Sequence, residues 1–168
     1  MLKAHLVPLS KSGLRHLIEY SYEGDTDLID KYQAGNRTFA ECVEYNYNEL
    51  IGYLTDPNFK GEIFFWQVRT DDDHVAGYCV TIENEDGPNM LLSCAINKKH
   101  RSKEFLMAWL EAVEEKLGVP YYIGLWEKNT RAIEFFLKNG FDAFESKDEN
   151  YKYLVKRPDL ITPEKLFK

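Results

Sequence analysis

The pattern of apolar and polar positions predicts a strand–helix–strand–helix unit over residues 89–141. Residues 90–96 form a nearly continuous apolar run, which is typical of a buried strand. Lys103–Leu117 has helical spacing of its apolar positions, and Tyr121–Trp126 is a second apolar run of strand length. Asn129 is a suitable N-cap for a shorter helix that follows. Because crossover connections are right-handed and return to the same sheet, the two strands should lie parallel to each other.

Two amphipathic helices are predicted ahead of this unit. Residues 14–20 place three apolar side chains on one face, a pattern typical of a short surface helix. Thr38 followed by Glu41 is the signature of a capping box, so a second helix should begin there. Its predicted apolar stripe consists of Phe39, Val43, Tyr47, Leu50 and Leu54.

The remaining apolar runs predict antiparallel strands. Residues 62–69 and 74–83 are rich in aromatic and β-branched residues, and short polar turns join them to each other and to the central unit. Consecutive strands that are joined by such turns must be antiparallel. Residues 141–146 and 151–156 form a last hairpin, and residues 4–9 form a short first strand.

Length and charge fit one cytoplasmic domain. The 168 residues suit a single α/β domain over residues 1–158, with a surface tail over residues 159–168. The net charge is 21 − 28 = −7, and residues 98–103 are the one dense positive patch, so we expect no nucleic-acid partner. No apolar run approaches the ~20 residues that span a bilayer, and residues 1–10 lack a secretory signal, so we expect no membrane association.

The cysteines and histidines predict no metal site. Cys42, Cys79 and Cys94 are isolated and lie within apolar patterns, which is typical of reduced core residues in a cytosolic protein. The four histidines show no ligand spacing with each other or with cysteine. Cys94 lies at a strand end but no histidine partner is indicated, so we interpret it as a packed thiol.

Two motifs within this order of elements resemble the GNAT superfamily of acyl-CoA-dependent N-acyltransferases. Cys94-Ala95-Ile96, followed by Arg101 and a helix, is similar to the family's strand and pyrophosphate loop. Residues 129–136, followed by Gly140-Phe141, are similar to its second signature, where Asn and Ala flank the cofactor. The resemblance is best over residues 75–156. It implies a GNAT-like domain with a central mixed sheet of six to seven strands, mostly antiparallel with one splayed parallel pair, and about four flanking helices.

The resemblance also implies acetyl-CoA or another acyl-CoA as cofactor. In the family, backbone amides at a helix N-terminus hold the pyrophosphate, and the pantetheine arm lies between the splayed strands. The matching positions here are Ala95, Ile96, Arg101, Ser102, Lys103, Asn129, Ala132 and Phe136. Ser102 and Asn129 are also good N-caps, a role that needs no ligand. Glu83 and Glu127, near predicted strand ends that face the splay, are the candidates to deprotonate an amine through water.

Several positions depart from the family's pattern. The family's loop has glycine, then glycine or alanine, where this chain has Glu104 and Leu106, and glycines allow the backbone to approach a phosphate closely. Many members have a tyrosine at the position of Phe136 as general acid, and phenylalanine has no proton to give. Some members have a glutamate at the position of Met90. The residues typical of the fold are therefore retained, whereas several residues typical of the family's chemistry are replaced.

Two functions remain open at this point. The first is an N-acyltransferase in which an amine, on a small molecule or a protein, attacks the thioester directly. The second is a catalytically inactive GNAT-fold protein that binds an assembly partner, for example as a virion-associated component of a bacteriophage. Aromatic residues make up 14% of the chain, and those on the strands would supply an association surface or simply fill the core.

Overall fold

The computed structural model describes residues 2–25, 37–144 and 150–156, which contain seven β-strands and four α-helices. A 3-10 turn at Lys98–His100 precedes the third helix. In chain order the elements are β1 (Ala4–Pro8), α1 (Lys11–Ser21), α2 (Phe39–Thr55), β2 (Glu62–Thr70), β3 (Val75–Glu83), β4 (Asn89–Ile96), α3 (Lys103–Leu117), β5 (Tyr121–Trp126), α4 (Thr130–Lys138), β6 (Phe141–Phe144) and β7 (Tyr151–Lys156). The tail predicted for residues 159–168 lies outside the described residues.

All seven strands form one sheet in the order β1-β2-β3-β4-β5-β7-β6. Of the six strand pairs in the described part of the chain, five are antiparallel, and only β4 and β5 are parallel. The last hairpin enters the sheet through β7, which lies between β5 and β6. This arrangement confirms the predicted single domain with a mixed sheet and one parallel pair.

The helices cover both faces of the sheet, so the domain has three layers and two apolar cores. One core joins α1 and α2 to the sheet, and its buried members include Leu14, Ile18, Val43, Tyr78 and Val80. The other core joins α3 and α4 to the opposite face, and its buried members include Leu91, Trp109, Val113, Ile123 and Phe136. Burying each such side chain contributes roughly 1.5–3 kcal/mol.

The predicted stripe of α2 is wrong at its carboxyl end. Leu54 is 47% exposed, whereas the buried positions of the helix are Cys42, Val43, Asn46 and Leu50. Leu54 lies on the same side as Val43 but one turn beyond Leu50. The last turn of α2 therefore extends past the apolar core, and the cavity described below lies against this turn.

The path of β4 depends on a close approach to β3. A Cβ atom at Gly77 would lie 2.1 Å from the carbonyl oxygen of Ala95, so only glycine fits at this position. A bulge interrupts the β3–β4 register where Val80 pairs with Ser93 and Thr81 pairs with Leu91, and such bulges bend a strand. Both features hold the carboxyl half of β4 close to β3.

Candidate active site

The parallel strands β4 and β5 separate partway along their length. They pair only where Asn89–Ile96 begins, through Asn89 with Tyr121, Met90 with Tyr122 and Leu91 with Ile123. Beyond Leu91 the facing edges of these two fully described strands have no strand partner. Backbone N–H and C=O groups require hydrogen-bond partners, so this edge can bind the amides of a ligand.

A cavity of about 910 Å³ lies at this opening, a volume typical of small-molecule sites. It extends from the amino ends of α3 and α4, past the gap between β4 and β5, to the last turns of α2 and the start of β7. Of the eight predicted cofactor positions, those that line it are Ala95, Ile96, Arg101, Asn129, Ala132 and Phe136. Ser102 and Lys103 are exposed at the helix entry and do not line it.

Two helix N-termini meet at one end of the cavity. The Ser102 hydroxyl accepts a hydrogen bond from the N–H of Phe105 at 3.1 Å, and the Asn129 side chain accepts one from Ala132 at 3.4 Å. Both predicted N-caps are therefore confirmed. The N–H groups of Lys103 and Glu104 have no partner within α3, because they lie in its first turn. Together with the helix macrodipole they favour an anion here.

An ion cluster adds positive charge at the same end. Arg101 donates from Nε to the carbonyl oxygen of Ile96 at 2.7 Å, and its terminal nitrogen pairs with the carboxylate of Asp25. The Asp25 side chain is only 5% exposed, and a nitrogen of Arg131 lies 3.6 Å from the same carboxylate oxygen. Two arginines therefore share one buried carboxylate at this end of the cavity. Asp25 and Arg131 are not among the residues predicted from the sequence, because their proximity depends on tertiary structure.

The substituted loop positions leave the cavity open. Glu104 is exposed and does not line the cavity, whereas Leu106 and Phe136 form part of its wall. The volume of about 910 Å³ is what remains beside these side chains. The missing glycines therefore change the rim and the wall of the site without filling it.

The two predicted bases do not line the cavity. Glu83 ends β3 and pairs with Glu62, next to the amino end of β4, where β4 and β5 are still joined. The prediction that Glu83 faces the opening is wrong, because β3 runs antiparallel to β4. Glu127 follows β5 at the open end, but its side chain is exposed and outside the cavity wall.

The other end of the cavity is aromatic and acidic. Glu49, Tyr53 and Asp56 line it from α2, and Tyr153 lines it from β7. Burial raises the pKa of Tyr53, and the carboxylates of Glu49 and Asp56 raise it further, so both carboxylates act on the same space. A Cβ at Gly124 would lie 2.9 Å from the ring of Tyr153, so the absence of a side chain there makes room for this ring.

A polar network fixes the wall between the two ends. The hydroxyl groups of Tyr78 and Ser93 share a hydrogen bond at 2.9 Å, and Asn46 donates to the Tyr78 oxygen at 3.2 Å. Burial raises the pKa of Tyr78 to about 12, so this phenol stays neutral at pH 7. Burial likewise raises the pKa of the Cys94 thiol to about 12, and its partly exposed side chain lines the cavity.

Metal-binding and membrane-spanning features are absent from residues 2–25, 37–144 and 150–156. No group of three or more His, Cys, Asp or Glu side chains in these ranges is placed to hold a metal ion. None of the helices there is long and apolar enough to cross a membrane.

The family model described as the acetyltransferase (GNAT) family matches residues 14–141 of the chain. This range begins in α1 and ends at the start of β6, so it includes both strands of the opening and both helix N-termini. No curated protein sequence matches the chain.

Several solved structures share the fold. An acetyltransferase from Thermus thermophilus is 18% identical, with a TM-score of 0.65 over 92% of this chain and 96% of that one. The PaiA N-acetyltransferase from Thermoplasma acidophilum, in complex with coenzyme A, is 20% identical, with a TM-score of 0.63 over 92% and 98%. A spermidine N-acetyltransferase from Vibrio cholerae, in complex with CoA and spermine, is 15% identical, with a TM-score of 0.58 over 91% and 94%.

Proposed function

Because the chain belongs to the GNAT acetyltransferase family, we propose that it transfers an acetyl or other acyl group from coenzyme A to an amine by direct attack. The observation that carries this proposal is the open cavity between β4 and β5, which lies beside the amino ends of two helices. An acyl-CoA combines a polyanionic end, a chain of amides and a thioester. The structure offers a complementary feature for each of these parts.

The residues of the site fit such a ligand. In this proposal the edge of β4 beyond Leu91, which has no pairing with β5, holds the pantetheine amides. In the same proposal Arg131 holds the phosphates, together with the amino end of α3 at the rim of the cavity. Because the side chain of Ala132 is small, α4 leaves space for the ligand at this position. Bound acyl-CoA supplies an activated acyl group as a thioester.

The chain's own contribution to the reaction is orientation and polarisation. A backbone N–H on the edge of β4 donates to the thioester carbonyl oxygen, where negative charge develops. Holding the amine and the carbonyl in contact converts a bimolecular step into an intramolecular one. Phe136 cannot donate a proton, but a thiol with a pKa of about 8.5 leaves readily as thiolate. The amine's proton passes to water. Glu127 lies at the open end but outside the cavity wall, so it can accept this proton only through water.

The alternative is a protein that keeps the fold but binds no cofactor, in the cytoplasm or within a virion assembly. The substitutions at Glu104 and Leu106 favour this alternative. A solvated carboxylate about 4–6 Å from a phosphate opposes binding by on the order of 1 kcal/mol. Arg101 and Arg131, which line the same end of the cavity, offset a cost of this size. We therefore place acyl transfer first.

Calorimetry and a thiol-release assay test the proposal. Acetyl-CoA at a hundredfold excess over its Kd should add about 2.7 kcal/mol of stability, because it binds only the native state. For a domain of this size that corresponds to roughly 5–10 °C in Tm. Adding an amine should then release CoA thiol. A protein that shows no shift at millimolar acetyl-CoA would instead be the inactive, assembly-type alternative.

A further inference from the structure

The charged side chains that line the cavity are separated by sign. The cations, Arg101 and Arg131, lie where α3 and α4 begin. The anions, Glu49 and Asp56, lie on the last turns of α2, at the opposite end. A ligand that spans the cavity therefore meets positive potential at one end and negative potential at the other.

Aromatic rings stand beside the two carboxylates. Tyr53 packs edge-on against Phe59, with ring centroids 5.3 Å apart, which fixes the ring that lines the cavity. The pKa of Tyr122 is raised by burial and then by Tyr153 and Tyr53, so each of these two phenols lies near Tyr122. Electron-rich aromatic faces attract ammonium groups within about 6 Å of the ring centroid. Carboxylates and aromatic rings together favour a cation more than either does alone.

Two requirements on the acceptor follow from this arrangement. The amine that attacks a carbonyl must be neutral, because a protonated amine has no free electron pair. The acidic end, by contrast, favours a group that keeps its positive charge. A single amino group cannot meet both requirements at once, whereas a molecule with two amino groups can.

We propose that the acceptor is an aliphatic diamine or polyamine, whose second ammonium group lies between Tyr53 and Tyr153 beside Glu49 and Asp56. This inference rests on the proposed acyl transfer and assigns its acceptor class. The neutral amino group of the same molecule then reaches the thioester at the gap between β4 and β5. The new bond joins the amine nitrogen to the acyl carbon, the carbon–sulfur bond breaks, CoA leaves as thiolate, and the amine proton goes to water.

The test compares three probes of similar length at saturating acetyl-CoA: diaminobutane, butylamine and aminobutyrate. Thiol release should give a kcat/KM for diaminobutane that is about tenfold that for butylamine, with aminobutyrate the poorest. The double variant Glu49→Gln, Asp56→Asn should raise KM for diaminobutane about fivefold, because it removes two exposed carboxylates whose attraction for an ammonium group is weakened by solvent. The preference for diaminobutane over butylamine should fall with it, because butylamine has no second ammonium group for the carboxylates to attract.

The matched control is Glu115→Gln with Asp86→Asn, which removes two exposed carboxylates that do not line the cavity. This control should keep the preference for diaminobutane. Equal use of butylamine and diaminobutane, or an unchanged preference in the cavity double variant, would overturn the acceptor assignment while acyl transfer stands. A third outcome is also informative: diaminobutane binds in calorimetry, the cavity double variant weakens this binding, and no turnover is seen. That result would support the acidic binding site and overturn acyl transfer.

Discussion

The two ends of the cavity are lined by different kinds of chemical group. The end at α3 and α4 consists of backbone amides, two N-caps and a carboxylate buried between two arginines. The end at α2 and β7 consists of side chains, among which Glu49 and Asp56 are exposed. Backbone and buried ion pairs leave little room for substitution, whereas exposed side chains can change freely. The first end is therefore suited to a constant ligand, and in our proposal the second end sets the choice of acceptor.

The largest expected effect comes from blocking the cofactor end with a bulky side chain. Ala132 lines the cavity from the first turn of α4, so Ala132→Trp would place an indole in the channel. Affinity for acetyl-CoA should fall by about a hundredfold or more, equivalent to about 2.7 kcal/mol. Isothermal calorimetry measures this loss. Glu134→Trp, on the exposed face of the same helix, is the control and should bind normally.

The next effect concerns stability at the same end. Asp25→Asn removes the negative partner of Arg101, whose side chain is 21% exposed, and leaves its charge partly buried. We expect the free energy of unfolding to fall by about 2 kcal/mol, below the 3–5 kcal/mol of a fully buried pair. Urea denaturation measures the change. Asp86→Asn, at an exposed turn, should change it by less than about 0.5 kcal/mol. Equal stability of both variants would show that the ion cluster does not stabilise the fold.

A smaller effect should separate the two ends by charge. Arg131→Gln removes a cation that is 63% exposed, so acetyl-CoA binding should weaken about threefold to fivefold, and less so at high salt. Affinity for the amine should not change. Lys128→Gln, exposed near the same helix but outside the cavity wall, provides the comparison. An equal loss in both variants would mean that general charge, and not this position, attracts the cofactor.

The smallest effect tests the substituted loop. Glu104→Gln removes a carboxylate at the first turn of α3, so acetyl-CoA should bind about threefold more tightly. Glu111→Gln, two turns further along the same exposed helix surface, should leave the affinity unchanged. Replacing Leu106 as well is less informative, because Leu106 packs against the core and its loss destabilises α3. Weaker binding in Glu104→Gln would contradict the view that this loop opposes the cofactor.

The sequence determines the local features of this comparison better than the distant ones. The capping box at Thr38 and the N-caps Ser102 and Asn129 are short patterns, and the structure confirms them. Asp25 meets Arg101 across 76 positions of the chain, and no local pattern encodes such a pair. The position of Glu83 also follows from the sequence, because antiparallel pairing of β3 with β4 puts the end of β3 beside the closed end of the β4–β5 pair.

Hydrogen exchange at β4 tests the central claim most directly. If acyl-CoA binds along the unpaired edge, acetyl-CoA should slow amide exchange at residues 92–96 and in the first turn of α3. The amides of residues 66–69 in β2, which is paired there by β1 on one side and β3 on the other, should not change. Acetyl-CoA that binds by calorimetry yet leaves exchange at residues 92–96 unaltered would contradict the claim that this opening is the cofactor site.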